Sequence, residues 1–175
     1  MEKVEQKYTN RSVTHPVTQD PGITDQHGRS FNYLRIAVNE KCNLRCIYCM
    51  PEKGISFEPQ DKLLTRKEVI RVIQVVAKLG VNKIRFTGGE PLLRKDLVEL
   101  VSGAAETPGI DSINLTTNGI LLANSAKSLK DGGLTGVNVS IDTLEKEKYT
   151  EITRRDYIDK ACIGLEAAKG VGIPS

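Results

Sequence analysis

The chain has 175 residues, enough for one domain with a real core and too few for two comfortable ones. Its formal net charge of +3 is too mild to argue for nucleic acid or a membrane surface. No apolar run approaches the roughly 18 residues that a membrane span needs.

Residues 1–28 are polar, carry Pro16, Pro21 and Gly22 without periodicity, and read as a loose leader. The opening MEKVEQKYTN holds two Glu, which fits neither a signal peptide nor an Arg-rich, acid-poor transit peptide. From residue 29 onward strand and helix alternate. NYLRIAV predicts the first strand, and the cysteine-rich stretch CNLRCIYC follows it. LTRKEVIRVIQVVAKLG predicts a helix, with Thr65 and Glu68 as a capping box and Gly80 as the stop. Val69, Val72, Ile73 and Val76 fall at helical spacing and predict one buried stripe.

NKIRFT predicts the second strand, followed by a GGEP turn and a helix over RKDLVELVSGAAE. SINLTT predicts the third, then a turn at Asn118-Gly119 and a helix over LLANSAKSLKDG. GVNVSID predicts the fourth, with a helix from about Tyr157 to Lys169. Four strand-then-helix units argue for parallel strands joined by right-handed crossovers, an α/β class.

Parallel strands covered on both faces read as continuous apolar runs, but these alternate. Leu34, Ile36 and Val38 share one face, with Arg35, Ala37 and Asn39 on the other. Ile84 and Phe86 alternate with Lys83, Arg85 and Thr87. Ile113, Leu115 and Thr117 alternate with Asn114, Thr116 and Asn118. Val137, Val139 and Ile141 alternate with Asn138, Ser140 and Asp142. With helices on the apolar faces, the polar positions share the other side of the sheet. Curved like a barrel, the sheet points them into a lumen suited to a polar, anionic ligand. An open sheet with one solvated face is the alternative, disfavoured because parallel sheets seldom leave a face bare.

Cys42, Cys46 and Cys49 are three of the four cysteines in the chain. Such a trio beside one distant cysteine fits a reducing, intracellular setting better than a secreted disulfide framework. Clustered thiolates select zinc, copper(I) or an iron–sulfur cluster. Structural zinc wants a fourth protein ligand. Cys162 falls in the stripe Ile158, Ala161, Cys162, Leu165, Ala168 and reads as a core thiol. His15 and His27 sit in the leader with nothing to organise them, and a disulfide within the trio would strand the third sulfur. Three ligands with an open fourth position fit best: a cubane cluster with one iron presented to a small molecule.

C-x3-C-x2-C with Tyr48 before the last cysteine resembles the cluster loop of radical S-adenosylmethionine enzymes. TGGEP, Thr87 to Pro91, stands where that superfamily keeps its Gly-Gly-Glu turn, whose glycines are expected to let backbone approach the methionine end of the cofactor. GRSFNYLRIAVNEKCNLRCIYCMP, IRFTGGEPLLRKDL, LTTNGILL and VNVSIDTL together resemble the GTP 3′,8-cyclase family of molybdenum cofactor biosynthesis, over about Gly28 to Lys169.

The resemblance implies an incomplete TIM-like (βα) barrel of about four parallel units. It implies a [4Fe-4S] cluster on Cys42, Cys46 and Cys49, and S-adenosyl-L-methionine contacts at Tyr48, Gly89 and Ser140. GTP contacts are implied at Arg35, Arg85 and Thr116. In the family, an electron from the cluster cleaves S-adenosylmethionine, and the resulting radical activates the ribose of GTP for closure onto guanine carbon 8. The implied partners are GTP, an electron donor such as flavodoxin or ferredoxin, and cyclic pyranopterin monophosphate synthase as the next enzyme. The implied compartment is the mitochondrial matrix in a eukaryote and the cytoplasm in a bacterium.

Relatives are about twice as long and carry a second cysteine trio, so residues 29–175 read as the first part of the barrel, ending before its fifth strand. Little cyclase activity is expected of this chain alone. A radical S-adenosylmethionine enzyme acting on another substrate, and a non-catalytic metal-binding fragment, are the rival readings. Arg154 and Arg155 are read as a solvated charge cluster.

Overall fold

A computed structural model describes residues 22–59 and 62–175. His15, Pro16 and Pro21 lie outside these. The end of the expected leader has structure: β1 (Ile23–Thr24) and β2 (Ser30–Phe31) pair antiparallel across a turn. Asp25 holds that turn, its carboxylate accepting from the amides of His27 and Arg29.

The main sheet is β3 (Tyr33–Ala37), β4 (Lys83–Thr87), β5 (Ser112–Thr117) and β6 (Gly136–Val139). All neighbours run parallel, and order in space follows order in the chain. Right-handed crossovers that never reverse lay every connecting helix on one face, the geometry of a closing barrel. That face is the core. Ile84, Phe86, Ile113, Leu115 and Val137 pack against helices α1 (Arg66–Lys78), α2 (Leu97–Ala105), α3 (Leu122–Asp131) and α5 (Ile158–Gly170). Each large side chain so buried contributes about 1.5–3 kcal/mol.

The capping box of α1 is present in both directions. Thr65 Oγ1 accepts from Glu68 N, and the Glu68 carboxylate accepts from Thr65 N at 2.7 Å. The buried stripe differs from expectation at Val72, which is 40% exposed. Ile70 is packed in its place because Gly103 on α2 leaves room: a Cβ there would stand 2.6 Å from Ile70 Cδ1.

Several bounds also differ. The second helix, expected from Arg94, begins at Leu97, and a 3-10 turn, Pro91–Leu93, stands ahead of it. The strand GVNVSID ends at Val139, although Ser140 N still donates to Thr117 O. A helix not foreseen, α4 (Lys146–Thr153), stands between β6 and α5. The stripe on α5 is Ile158, Ala161, Gly164 and Ala168, with Cys162 half-buried beside it. Beyond α5 the chain returns alongside β6: Val137 N donates to Pro174 O at 2.9 Å, and Ile173 enters the core.

Candidate functional site

The segments that leave the C-terminal ends of all four strands converge, as they do where barrel enzymes place their chemistry. Val38 N donates to Thr87 O, carrying the first pairing one step past β3. The next residues then meet the Gly-Gly-Glu turn backbone to backbone. Gly89 N donates to Asn39 O, and Glu90 N to Lys41 O. A Cβ on Gly88 would stand 2.4 Å from Asn39 O, and one on Gly89 would stand 2.4 Å from both Glu40 O and Lys41 O. The glycines therefore let the turn dock on the cysteine loop itself.

Glu90 is 1% exposed. One carboxylate oxygen accepts from Thr117 Oγ1 and Leu92 N, the other from Asn118 N. Its own carbonyl accepts from Asn39 Nδ2. Burial outweighs these donors and lifts its carboxyl above the usual carboxylate range. Nothing in the sequence beyond the motif signals this tie of β4, β5 and the loop after β3.

The cysteine loop is anchored by buried Leu44 and Met50 and turns through Cys49 N and Met50 N, both donating to Cys46 O. All four cysteines are free thiols. Leu44 N lies 3.4 Å and Asn118 Nδ2 3.9 Å from Cys42 Sγ, and Asn118 also donates to Asn43 Oδ1 at 2.6 Å. Asn118, placed by alternation on the polar face, is instead buried and turned to the cysteines. Burial pushes the Cys42 and Cys46 thiols up, so a metal must displace their protons on binding.

This donor set fits a cluster. Amides aimed at a sulfur orient and tune a thiolate ligand. Among the described residues no group of three His, Cys, Asp or Glu is placed to hold one metal ion. Two polar atoms near the loop are buried without a partner, Asn39 Oδ1 and Tyr149 Oη. His27 is exposed in the β1–β2 turn, next to Gln26.

Tyr48 donates to Asp142 Oδ2 at 2.8 Å, tying the cysteine loop to the segment after β6. Burial and this carboxylate raise the Tyr48 hydroxyl well above its usual value. Ser140 is exposed on that same segment.

On the polar side of the sheet, Arg35 and Arg85 are register partners. Arg85 donates to Thr116 Oγ1 at 3.2 Å and to Asn138 Oδ1. Thr116 and Asn138 are themselves register partners. The structure thus joins the three residues expected to contact GTP and adds Asn138, visible in the alternation but not singled out. Like charges directly opposite destabilise a strand pair, so the two guanidiniums suit an anion set between them.

A cavity of about 480 Å³ lies elsewhere, lined by Val38 to Lys41, by Phe57 to Arg66 in part, and by Leu93 to Asp96. None of the expected site residues lines it. No helix of the described residues is long and apolar enough to cross a membrane.

The Radical SAM superfamily profile matches residues 36–175. A molybdenum cofactor biosynthesis protein, moc-5, of Caenorhabditis elegans is 46% identical over 91% of this chain and 26% of its own length. GTP 3′,8-cyclases of Listeria monocytogenes and Pelotomaculum thermopropionicum are 45% and 50% identical over 86% of the chain. The chain spans 45–46% of these two bacterial relatives. Among solved structures, Streptococcus suis SuiB matches 81% of this chain and 31% of its own, with TM-score 0.66 at 21% identity. Methylornithine synthase (PylB) matches 81% and 42%, with TM-score 0.64 at 19% identity. These two likenesses are of fold.

Proposed function

Because the chain belongs to the radical SAM superfamily, we propose that it carries the cluster-bearing half of a GTP 3′,8-cyclase. Such an enzyme joins the ribose of GTP to guanine carbon 8 in molybdenum cofactor biosynthesis. The observation that carries the reading to GTP is the register pairing of Arg35 with Arg85, on the sheet face that ends at the cysteine loop. The 44–50% identity to several GTP 3′,8-cyclases supports it.

Cys42, Cys46 and Cys49 would hold a [4Fe-4S] cluster, and Tyr48, Gly89 and Ser140 would contact S-adenosylmethionine. When bound, these groups supply a one-electron cleavage whose radical product abstracts hydrogen from the substrate ribose. The chain's own residues bind, orient and enclose. Arg35 and Arg85 present planar, permanently charged donors to phosphate or to a guanine edge. Thr116 on β5 and Asn138 on β6 both accept from Arg85 Nη1, which fixes where that charge stands. The Tyr48–Asp142 tie links the loop after one edge strand, β3, to the segment after the other, β6. A flavodoxin or ferredoxin would supply the electron, and cyclic pyranopterin monophosphate synthase would take the product. The setting would be a bacterial cytoplasm or a mitochondrial matrix.

Anaerobic reconstitution with iron and sulfide tests the reading. About four irons per chain are expected, with 5′-deoxyadenosine formed from S-adenosylmethionine under dithionite and GTP bound in an Arg85-dependent manner. A colourless zinc protein would overturn it. Formation of 5′-deoxyadenosine without GTP binding would favour a radical enzyme acting on another substrate.

A further inference from the structure

Arg154 and Arg155 follow α4, and the expectation of a solvated charge pair holds for only one of them. Arg155 is exposed and donates to the neighbouring Arg154 O. Arg154 is half-buried, and its Nη1 donates to Arg45 O at 2.8 Å and to Met50 O at 3.1 Å. Those two carbonyls bracket Cys46 and Cys49. The guanidinium closes the turn that carries both sulfurs, at its entry and at its exit.

The rest of this corner is built around the same grip. Arg45 N donates to Thr153 O and Ile47 N to Ile152 O, so the end of α4 pairs with the cysteine loop through backbone as well. Thr153 is buried, and its hydroxyl donates to Tyr149 O and lies 2.9 Å from Arg155 O, fixing the helix terminus. Arg154 is the one non-glycine with positive φ among the described residues, at 55°. A left-handed arginine is strained and persists only where its surroundings hold it. No carboxylate pairs with its guanidinium among the described residues. Its positive charge therefore stands unpaired beside the cysteine loop, among the described residues.

We propose that Arg154 is a positioning residue for the cluster. It holds the Cys46–Cys49 turn in ligating geometry through the Arg45 and Met50 carbonyls, and its charge favours the reduced, more negative state. It acts through the loop and touches neither substrate nor cofactor. This rests on the reading of the three cysteines as cluster ligands.

The full chain, its Arg154→Asn and Arg154→Lys variants, and Arg155→Met as a control are reconstituted anaerobically. Asparagine accepts the left-handed conformation, so Arg154→Asn removes the guanidinium without adding strain. Two quantities are read: the rate of iron release to a chelator, and the cluster midpoint potential by redox titration. Arg154→Asn is expected to release iron about tenfold faster, the low end for loss of an outer-sphere partner, with a more negative midpoint. Arg154→Lys should keep the midpoint but release iron faster than the parent, and Arg155→Met should match the parent in both. Unchanged release and midpoint in Arg154→Asn overturn the proposal. Should Arg154→Asn fail to fold by circular dichroism, Arg154→Lys decides alone, and parent-like release overturns the proposal. Failure of the parent chain to take up iron would instead overturn the cluster reading, and this proposal with it.

Discussion

The hydroxyl of Thr117 donates to the Glu90 carboxylate at 2.7 Å, joining the end of β5 to the turn after β4. The same hydroxyl oxygen accepts from Gly119 N at 3.1 Å. Two strand ends and the Asn118-Gly119 turn thus depend on one buried side chain, 3% exposed. Thr117→Val keeps the shape and deletes both bonds, leaving a buried amide and a buried carboxylate short of a partner. Stability should fall by about 1–3 kcal/mol, read as a lower urea midpoint at unchanged m-value.

Glu90 gives a pH signature whose sign follows from burial. Its folded carboxyl lies above the usual 4.5. Between that value and the raised one, the folded chain keeps a proton that the unfolded chain has released. Stability therefore declines as pH rises through this window. Glu90→Gln removes the titration. The stability of the parent relative to Glu90→Gln should shrink as pH climbs from about 4.5, measured by denaturant titration at a series of pH values. A gap that widens instead would show that the three donors to the carboxylate outweigh its burial.

The close approach of turn and cysteine loop makes two glycines very unequal. Alanine at Gly89 would drive a methyl into the carbonyls of Glu40 and Lys41, which are backbone and yield little. Overpacking of this kind costs about 1–3 kcal/mol, and here the strain falls on the segment leading to Cys42. Gly89→Ala should lower the melting temperature and reduce iron uptake together. Gly170, the last residue of α5, has nothing within 4 Å of an added Cβ. Gly170→Ala should raise stability by about 0.4–1 kcal/mol and leave iron uptake alone. Equal effects of the two substitutions in a thermal melt would contradict the packing described here.

The strands were legible because alternation survives folding: Ile84, Phe86, Ile113 and Leu115 are buried, and the polar residues between them face the other way. The α1 cap was legible because Thr65 and Glu68 need only each other. Helix α4 was not, because LEKEKYTEIT offers Tyr149 and Thr153 as its only buried side chains. Such a pattern has no apolar stripe to detect. Arg154 was illegible for a different reason. Its partners are main-chain carbonyls more than a hundred residues away, and a carbonyl carries no residue identity. Val72 was misplaced because periodicity defines a stripe but not how far a neighbour, here Gly103 on α2, lets the helix roll.

The polar face of the sheet yields the most discriminating prediction. Arg85 stands beside Arg35 in register, and its Nη1 is shared between Thr116 and Asn138. Loss of a charged hydrogen-bond donor to a ligand costs about 1.5–3 kcal/mol, roughly a 10- to 100-fold rise in Kd. Arg85→Ala should weaken GTP binding by that factor in equilibrium dialysis against the reconstituted chain. Because Arg85 crowds a like charge, the same substitution should leave folding stability nearly unchanged or slightly improved. Arg85→Lys keeps the charge but loses the planar fork, so it should recover only part of the affinity. Asn138→Ala leaves both guanidiniums in place and should weaken binding less than Arg85→Ala, because the part of Asn138 is to aim the Arg85 group. If Arg85→Ala bound GTP as the parent does while losing stability, the arginine would be a structural strand residue, and the anion site would lie elsewhere.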